Sequence, residues 1–197
     1  MRRRAIATDA ADRRPGAGLT RGRLLALARV FDGTPEAQAS ARAERALKTR
    51  LGRRRQRGHP YLTRSDLVWL GEWKTPRIRL RVARNTPAGV RGLTAAAFLT
   101  RDEGRRLALL RGLSGVGFAV ASVVLHFAHP SRYPVYDVRV LAALRRLGVR
   151  ERFPPTAAGW VAYIGRLRGL ARRYRVSLRT LDKALWMHGG PDAHHLG

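Results

Sequence analysis

The spacing of apolar residues is the feature that most restricts the fold of this chain. Beyond residue 60, every long segment repeats its large apolar side chains with the 3.6-residue period of a helix, and none alternates as a strand does. The pattern predicts an all-α fold, a compact multi-helix domain of about eight to ten short helices. Two apolar stripes near the C-terminus are examples, one at Trp160, Tyr163, Ile164, Leu167, Leu170 and Ala171 and the other at Leu178, Leu181 and Leu185.

Capping residues predict where several of these helices begin. The expected starts are Thr34 with Pro35, Thr63 with Asp66, Pro76, Thr86 with Pro87, and Asp102 with Glu103. The helix that starts at Thr34 is expected to end near Leu51, just before the basic stretch GRRRQRGHP at 52–60. That stretch is either a solvated linker or a phosphate clamp, and the residues leave both interpretations open.

A length of 197 residues indicates one domain with short tails. Residues 1–18 carry few large apolar side chains, so we expect a disordered basic tail there, and a second tail at 191–197. Between the tails, residues 19–58 are expected to form basic helices and a hinge. Residues 59–190 are expected to form the core.

The charge points to a polyanionic partner. A balance of 40 basic against 13 acidic residues gives a formal net charge of +27, and 37 of the basic residues are arginine. Such a domain would repel itself unless it met a polyanion, and the commonest one in a cell is nucleic acid. The charge therefore predicts binding to the phosphate backbone of nucleic acid. We expect the protein to be a monomer and its partner to be double-stranded DNA. An anionic membrane surface fits less well because the arginines are spread over the whole chain, and RNA would fit the charge alone.

Several classes of protein are excluded or disfavoured. The chain has no cysteine, which excludes disulfides, thiolate zinc sites and cysteine nucleophiles. His126 and His129 have no third ligand nearby, so no metal site is predicted and solvent or capping contacts are expected for them. No stretch reaches the roughly 18 apolar residues of a membrane span, and the N-terminus lacks the apolar centre of a signal peptide. We expect a cytoplasmic, nucleoid-associated protein.

A glycine pair lies between two predicted helices in the segment from Leu110 to Leu125. Gly115 and Gly117 allow backbone angles closed to other residues, and the next helix begins at once, with Ala121 small enough for close packing. The amides of this turn would face outward with a helix dipole behind them, a geometry suited to a phosphate. The predicted DNA contacts are therefore Ser114, Gly115, Val116, Gly117, Phe118 and Ala119. The alternative is a glycine-tightened turn between two core helices.

The segment agrees with the helix-hairpin-helix DNA-binding motif, and an acid follows it at a fixed distance. Asp137 lies twenty residues after Gly117, behind an apolar helix and the loop AHPSRYPVY. This layout resembles the base-excision DNA glycosylase superfamily of endonuclease III, named for its hairpin and its Gly/Pro…Asp loop. Three stretches, WKTPR at 73–77, GVGFAVASVVLHFAHPSRYPVYDVR at 115–139 and LRTLDKALW at 178–186, resemble a subgroup of small bacterial glycosylase-like proteins.

The resemblance implies roles for particular residues. Asp137 would be the catalytic carboxylate, which stabilises an oxocarbenium-like sugar and orients the attacking water. Lyase-competent members of the superfamily carry a lysine at the position of Ala119, so the resemblance implies base removal without lyase activity. It implies no cofactor, and leaves open an alkali cation at the hairpin. Asp137 also fits a plain N-cap of the helix VRVLAALRRL, and the two roles can coexist.

A glycosylase must take its target base out of the stack, so aromatic side chains are expected near the acid. Tyr133 and Tyr136 are close to Asp137 in sequence, and Trp69 and Trp73 stand one helical turn apart. A tryptophan pair at this spacing is more often part of a hydrophobic core than of a base pocket. The sequence therefore supports two hypotheses, a monofunctional DNA glycosylase and a noncatalytic helix-hairpin-helix DNA-binding protein.

Overall fold

A computed structural model describes residues 18–190 of the chain, and this part is all-α as predicted, with no strand among the described residues. The predicted tails lie outside the described residues, apart from Gly18. In chain order the helices are α1 (Arg21–Asp32), α2 (Pro35–Gln56), α3 (Arg64–Lys74), a 3₁₀ turn (Pro76–Ile78), α4 (Arg79–Val82), α5 (Pro87–Leu99), α6 (Glu103–Arg111), α7 (Phe118–Ala128), α8 (Val138–Arg146), α9 (Ala157–Tyr174) and α10 (Leu178–Gly189).

Four of the predicted helix starts, at Thr34, Thr63, Thr86 and Asp102, are confirmed by their caps. Pro76 instead opens a 3₁₀ turn that has no side-chain cap, and the α-helix begins at Arg79. Thr63 and Asp66 form a reciprocal capping box, in which each side chain accepts from the other residue's backbone amide, at 3.1 and 3.0 Å. Thr34, Thr86 and Asp102 each accept a hydrogen bond from the amide three residues on. These bonds satisfy amides that a helix leaves unpaired at its first turn.

Helix α2 continues to Gln56, so the predicted end near Leu51 is wrong. The basic residues beyond Leu51 extend the helix because they find acceptors elsewhere in the fold. Arg54 Nη1 donates to Asp66 at 2.7 Å, and Arg55 Nη1 donates to the carbonyl of Ala128 at 2.8 Å. Arginines in a last turn also complement the negative end of the helix dipole.

Helix α7 runs through the centre of the domain, where it contacts α2, α3 and α6. Every residue of α7 except Ala119 is buried. The apolar stripes predicted in α9 and α10 are buried as expected. No helix within residues 18–190 has the length and apolar character needed to cross a bilayer.

Helix α10 packs against both α1 and α8, and so brings distant parts of the chain together. Its contact with α8 is close, since a methyl group at Gly189 would collide with the carbonyl oxygen of Arg139. The result is that the start of α8, the end of α3, the α1–α2 turn and α10 surround one cavity.

Candidate active site and phosphate-binding turn

Residues 112–117, here called the glycine turn, connect α6 to α7. The turn is tight: the amides of Leu113 and Val116 donate to carbonyls three residues earlier, both at 3.1 Å. Gly115 has a φ of +75°, which a side chain would strain. Gly117 is the N-cap of α7 and offers no side chain to the first amides of that helix, so these amides remain free to bind an anion.

Two contacts from outside hold the glycine turn in place, and neither was anticipated from the sequence. Asn85 exchanges hydrogen bonds with the backbone of Ser114, accepting from its amide at 2.8 Å and donating to its carbonyl at 2.9 Å. Val82 lies against Gly115, where an added Cβ would come within 2.9 Å of the Val82 backbone nitrogen. The turn is therefore built against the segment that contains α4.

All six predicted DNA contacts line one open concavity on the surface. The side chains of Val116 and Phe118 are buried in the core, so these two residues present backbone to the concavity. Arg81 and Arg111 lie on its rim. Free amides, a helix N-terminus and two guanidinium groups together make a suitable environment for a phosphate.

Asp137 caps α8 as predicted, with Oδ1 accepting from the amide of Arg139 at 2.9 Å. Its Oδ2 forms an ion pair with Lys74, the last residue of α3. The carboxylate is not sealed by this packing, because 18% of its side chain stays exposed. It faces a cavity of about 370 Å³, a volume large enough for a nucleobase or a sugar.

The cavity has aromatic walls and an acidic lining, which is unusual in so basic a chain. Its aromatic residues are Phe31, Trp73 and Trp186, and Phe31 meets Trp186 edge to face at 5.4 Å. Four carboxyl groups line it, those of Glu36, Glu44, Asp137 and Asp182. Such walls can hold a flat ring by stacking, while the acids accept hydrogen bonds from its edge.

Asp182 lies almost fully buried in this cavity, at 4% exposure. Arg179, one helical turn earlier on α10, donates from Nη1 to Asp182 Oδ2 at 2.8 Å. The pair is largely buried. Oδ1 of Asp182 has no hydrogen-bond partner among residues 18–190. Burial raises the pKa of this carboxyl group above its usual range.

The start of α7, directly after the glycine turn, is in contact with the residue before Asp137. Ser122 Oγ accepts from the amide of Tyr136 at 2.8 Å and donates to the carbonyl of Ala119 at 2.7 Å. The rings of Phe118 and Tyr136 meet at 4.7 Å. The first turn of α7 is thereby fixed to the residue before Asp137.

Residues 74–82, here called the linking segment, make a second connection between the two features. The segment begins at Lys74, which is paired with Asp137, and ends at Val82, which lies against Gly115. Arg81 near its end reaches the concavity of the glycine turn.

Of the four aromatic residues predicted for a base pocket, Trp73 lines the cavity with Asp137, and its Nε1 donates to Glu44 at 2.9 Å. The other three are directed elsewhere. Trp69 packs on Phe127 at 5.6 Å. Tyr136 donates to the carbonyl of Phe153 at 2.6 Å.

Tyr133 is fully buried and stacks on Trp160, with ring centroids 5.9 Å apart. Its hydroxyl donates to Glu103 at 2.8 Å, and burial raises its pKa to about 12. Tyr133 therefore serves the core and does not line the cavity with Asp137.

His126 does not meet solvent, which corrects the expectation from the sequence. It is fully buried, and its Nδ1 donates to the carbonyl of Tyr133 at 2.8 Å. Burial lowers its pKa to about 3. His129 ends α7 as its C-cap, and burial lowers its pKa to about 4. No group of three metal-binding side chains occurs among the residues that the structure describes.

Sequence reasoning missed most of the cavity wall. Phe31 and Trp186 come from opposite ends of the chain, and no local pattern joins them. Lys74 could have been singled out, because lysine occurs at only three positions in the whole chain. Comparisons with protein-family models, with curated proteins and with solved structures found no match to this chain.

Proposed function

We propose that this protein is a DNA N-glycosylase that removes a damaged or inappropriate base, with Asp137 as its catalytic carboxylate. The observation that carries the proposal is an accessible acid at the start of α8, facing an aromatic-walled cavity and joined through Tyr136 to a turn with free amides. The motif residues of the glycine turn and their spacing from Asp137 support the same assignment.

In this proposal the glycine turn holds a phosphate of the backbone, with Arg81 and Arg111 beside it. The neighbouring nucleotide is flipped into the cavity, where Trp73, Trp186 and Phe31 surround its base. The unpartnered oxygen of Asp182 can accept a hydrogen bond from the edge of that base.

Asp137 would act on the sugar. As the glycosidic bond breaks, positive charge develops at C1′, and a carboxylate in a partly desolvated cavity stabilises that charge strongly. The same group can orient or deprotonate the attacking water. Lys74 fixes the orientation of the Asp137 carboxylate through the ion pair.

Replacing Asp137 by Asn tests the role of the charge without removing the cap, because Asn is as good an N-cap as Asp. We expect base release to fall by at least about 100-fold, with duplex binding nearly unchanged and the fold retained at a lower melting temperature, because Lys74 loses its counter-charge. Asp102→Asn is the matched control, since Asp102 also caps a helix and does not line the cavity. Full activity of Asp137→Asn would refute the assignment.

A noncatalytic DNA-binding protein is the second candidate, and one observation favours it. Both oxygens of Asp137 already have partners, the amide of Arg139 and the ammonium of Lys74, as a purely structural cap would. Duplexes with alkylated, oxidised, deaminated or mismatched bases, treated with alkali after incubation, separate the two candidates. Strand breaks at one class of lesion support the glycosylase, and binding without breaks on any duplex supports the alternative.

A further inference from the structure

Lysine is rare in this chain, and its distribution is informative. Only Lys48, Lys74 and Lys183 interrupt a basic complement that otherwise consists of 37 arginines. Lys74 lines the cavity that holds Asp137. The other two line a neighbouring concavity, where Lys48 is 3.6 Å from Glu44 and Lys183 pairs with Asp32.

The difference between lysine and arginine matters chemically. A guanidinium group keeps its proton under all ordinary conditions, so arginine can pair with an acid but cannot act as a nucleophile. A lysine amine can lose its proton and attack a carbonyl carbon. Lys74 has only 13% of its side chain exposed, and its partner Asp137 is a carboxylate that can receive that proton.

We propose that Lys74 is an amine nucleophile that forms a Schiff base with the aldehyde of an abasic sugar and thereby allows the strand to be cut. This inference rests on the proposed function, because base removal is the reaction that leaves an aldehyde at C1′. Position 119, in the first turn of α7, carries alanine instead of the lysine of lyase-competent glycosylases. Lys74, at the end of α3, supplies an amine to the cavity that holds Asp137.

The reaction balances without a further reactant. The Asp137 carboxylate takes one proton from the Lys74 ammonium group, and the freed amine adds to C1′ of the ring-opened sugar. One N–H proton and the proton held by Asp137 pass to the carbonyl oxygen, which leaves as water and gives a protonated imine. The imine acidifies the C2′ hydrogen; as the Asp137 carboxylate removes this proton, the electron pair forms the C2′–C3′ double bond and expels the 3′-phosphate. Water then hydrolyses the imine and returns the free amine.

The test uses the full chain and a duplex with one pre-formed abasic site, so that it does not depend on base removal. Sodium borohydride reduces an imine to a stable secondary amine, which leaves a covalent protein–DNA adduct on a denaturing gel. The variants are Lys74→Arg, Lys48→Arg and Lys183→Arg, each of which keeps the positive charge. We expect the adduct with wild type and both controls, and at least a tenfold loss with Lys74→Arg. Peptide mass mapping should place the adduct on Lys74.

The inference is overturned if Lys74→Arg is trapped as well as wild type, or if mapping places the adduct on Lys48, Lys183 or the terminal amine. It is also overturned if wild type binds the abasic duplex and gives no adduct. Melting temperatures within a few degrees of wild type exclude misfolding as the cause of a loss. Base release measured with alkali is a separate readout, so trapping without base release would sink the proposed function alone.

Discussion

Alanine at Gly115 should destabilise the fold, whereas alanine at Gly117 should leave the fold intact and weaken DNA binding. Gly115 has a φ of +75°, and its added Cβ would lie 2.9 Å from both the backbone nitrogen and a methyl carbon of Val82. The left-handed conformation costs about 1–2 kcal/mol for a residue with a side chain, and forced overpacking costs about 1–3 kcal/mol. The expected loss for Gly115→Ala is therefore about 2–5 kcal/mol.

Gly117 is different in both respects. Its φ is −77° and its ψ is −178°, which any residue can adopt, and nothing lies within 4 Å of an added Cβ. For Gly117→Ala we expect a stability change within about 1 kcal/mol, because a stiffer unfolded chain offsets a poorer N-cap. The new methyl group would stand in open space beside the turn, where a bound phosphate would approach the first amides of α7. If these amides hold a phosphate, affinity for duplex DNA should fall roughly tenfold, or about 1.4 kcal/mol.

Urea unfolding followed by circular dichroism measures the first effect, and fluorescence-anisotropy titration of a labelled duplex at fixed salt measures the second. Unchanged DNA affinity in a stable Gly117→Ala variant would show that the glycine turn is only a connection between core helices. A Gly115→Ala variant as stable as wild type would refute the steric reasoning for that position.

Three further predictions concern charge and stability. Burial lowers the pKa of His126 from 6.5 to about 3, so below pH 6.5 this side chain takes up a proton in the unfolded chain and not in the folded one. The free energy of unfolding should therefore fall by about 2 kcal/mol from pH 7 to pH 5. His126→Asn should remove that part of the acid dependence in urea titrations, and an unchanged dependence would contradict the assignment. Glu103→Gln removes the counter-charge that lies 2.7 Å from the buried guanidinium group of Arg106. The free energy of unfolding should fall by about 3 kcal/mol. A fall of less than about 1 kcal/mol would mean that the backbone carbonyls alone satisfy the guanidinium group. Arg81→Gln should reduce the slope of log affinity against log salt by about 0.9, and an unchanged slope would place Arg81 away from DNA.

Local signals explain what could be predicted from the sequence. Thr34, Thr63, Thr86, Asp102 and Asp137 all cap helices as expected, because an N-cap bond joins residues only two or three positions apart. Apolar periodicity likewise depends only on neighbours along the chain, so the fold class and the buried stripes followed from it.

Features that depend on distant residues could not be predicted in this way. Helix α2 extends beyond its expected end because Arg55 donates a hydrogen bond to the carbonyl of Ala128, which is distant in sequence. Asp137 was recognised as a cap, but its partner Lys74 belongs to another helix and no spacing rule connects them. Tyr133 and Tyr136 lie next to Asp137 in sequence, yet they turn into the core.

The linking segment should tolerate substitutions better than insertions or deletions. Its first residue is held by Asp137 and its last by the backbone of Gly115, so its length sets the distance between the acid and the glycine turn. One inserted residue would rotate everything beyond it on the 3₁₀ turn and α4 by about 100–120°. Exposed side chains of the segment, such as Leu80, can vary without moving either end. A change in the number of its residues would alter the separation of the Asp137 carboxylate and the glycine turn.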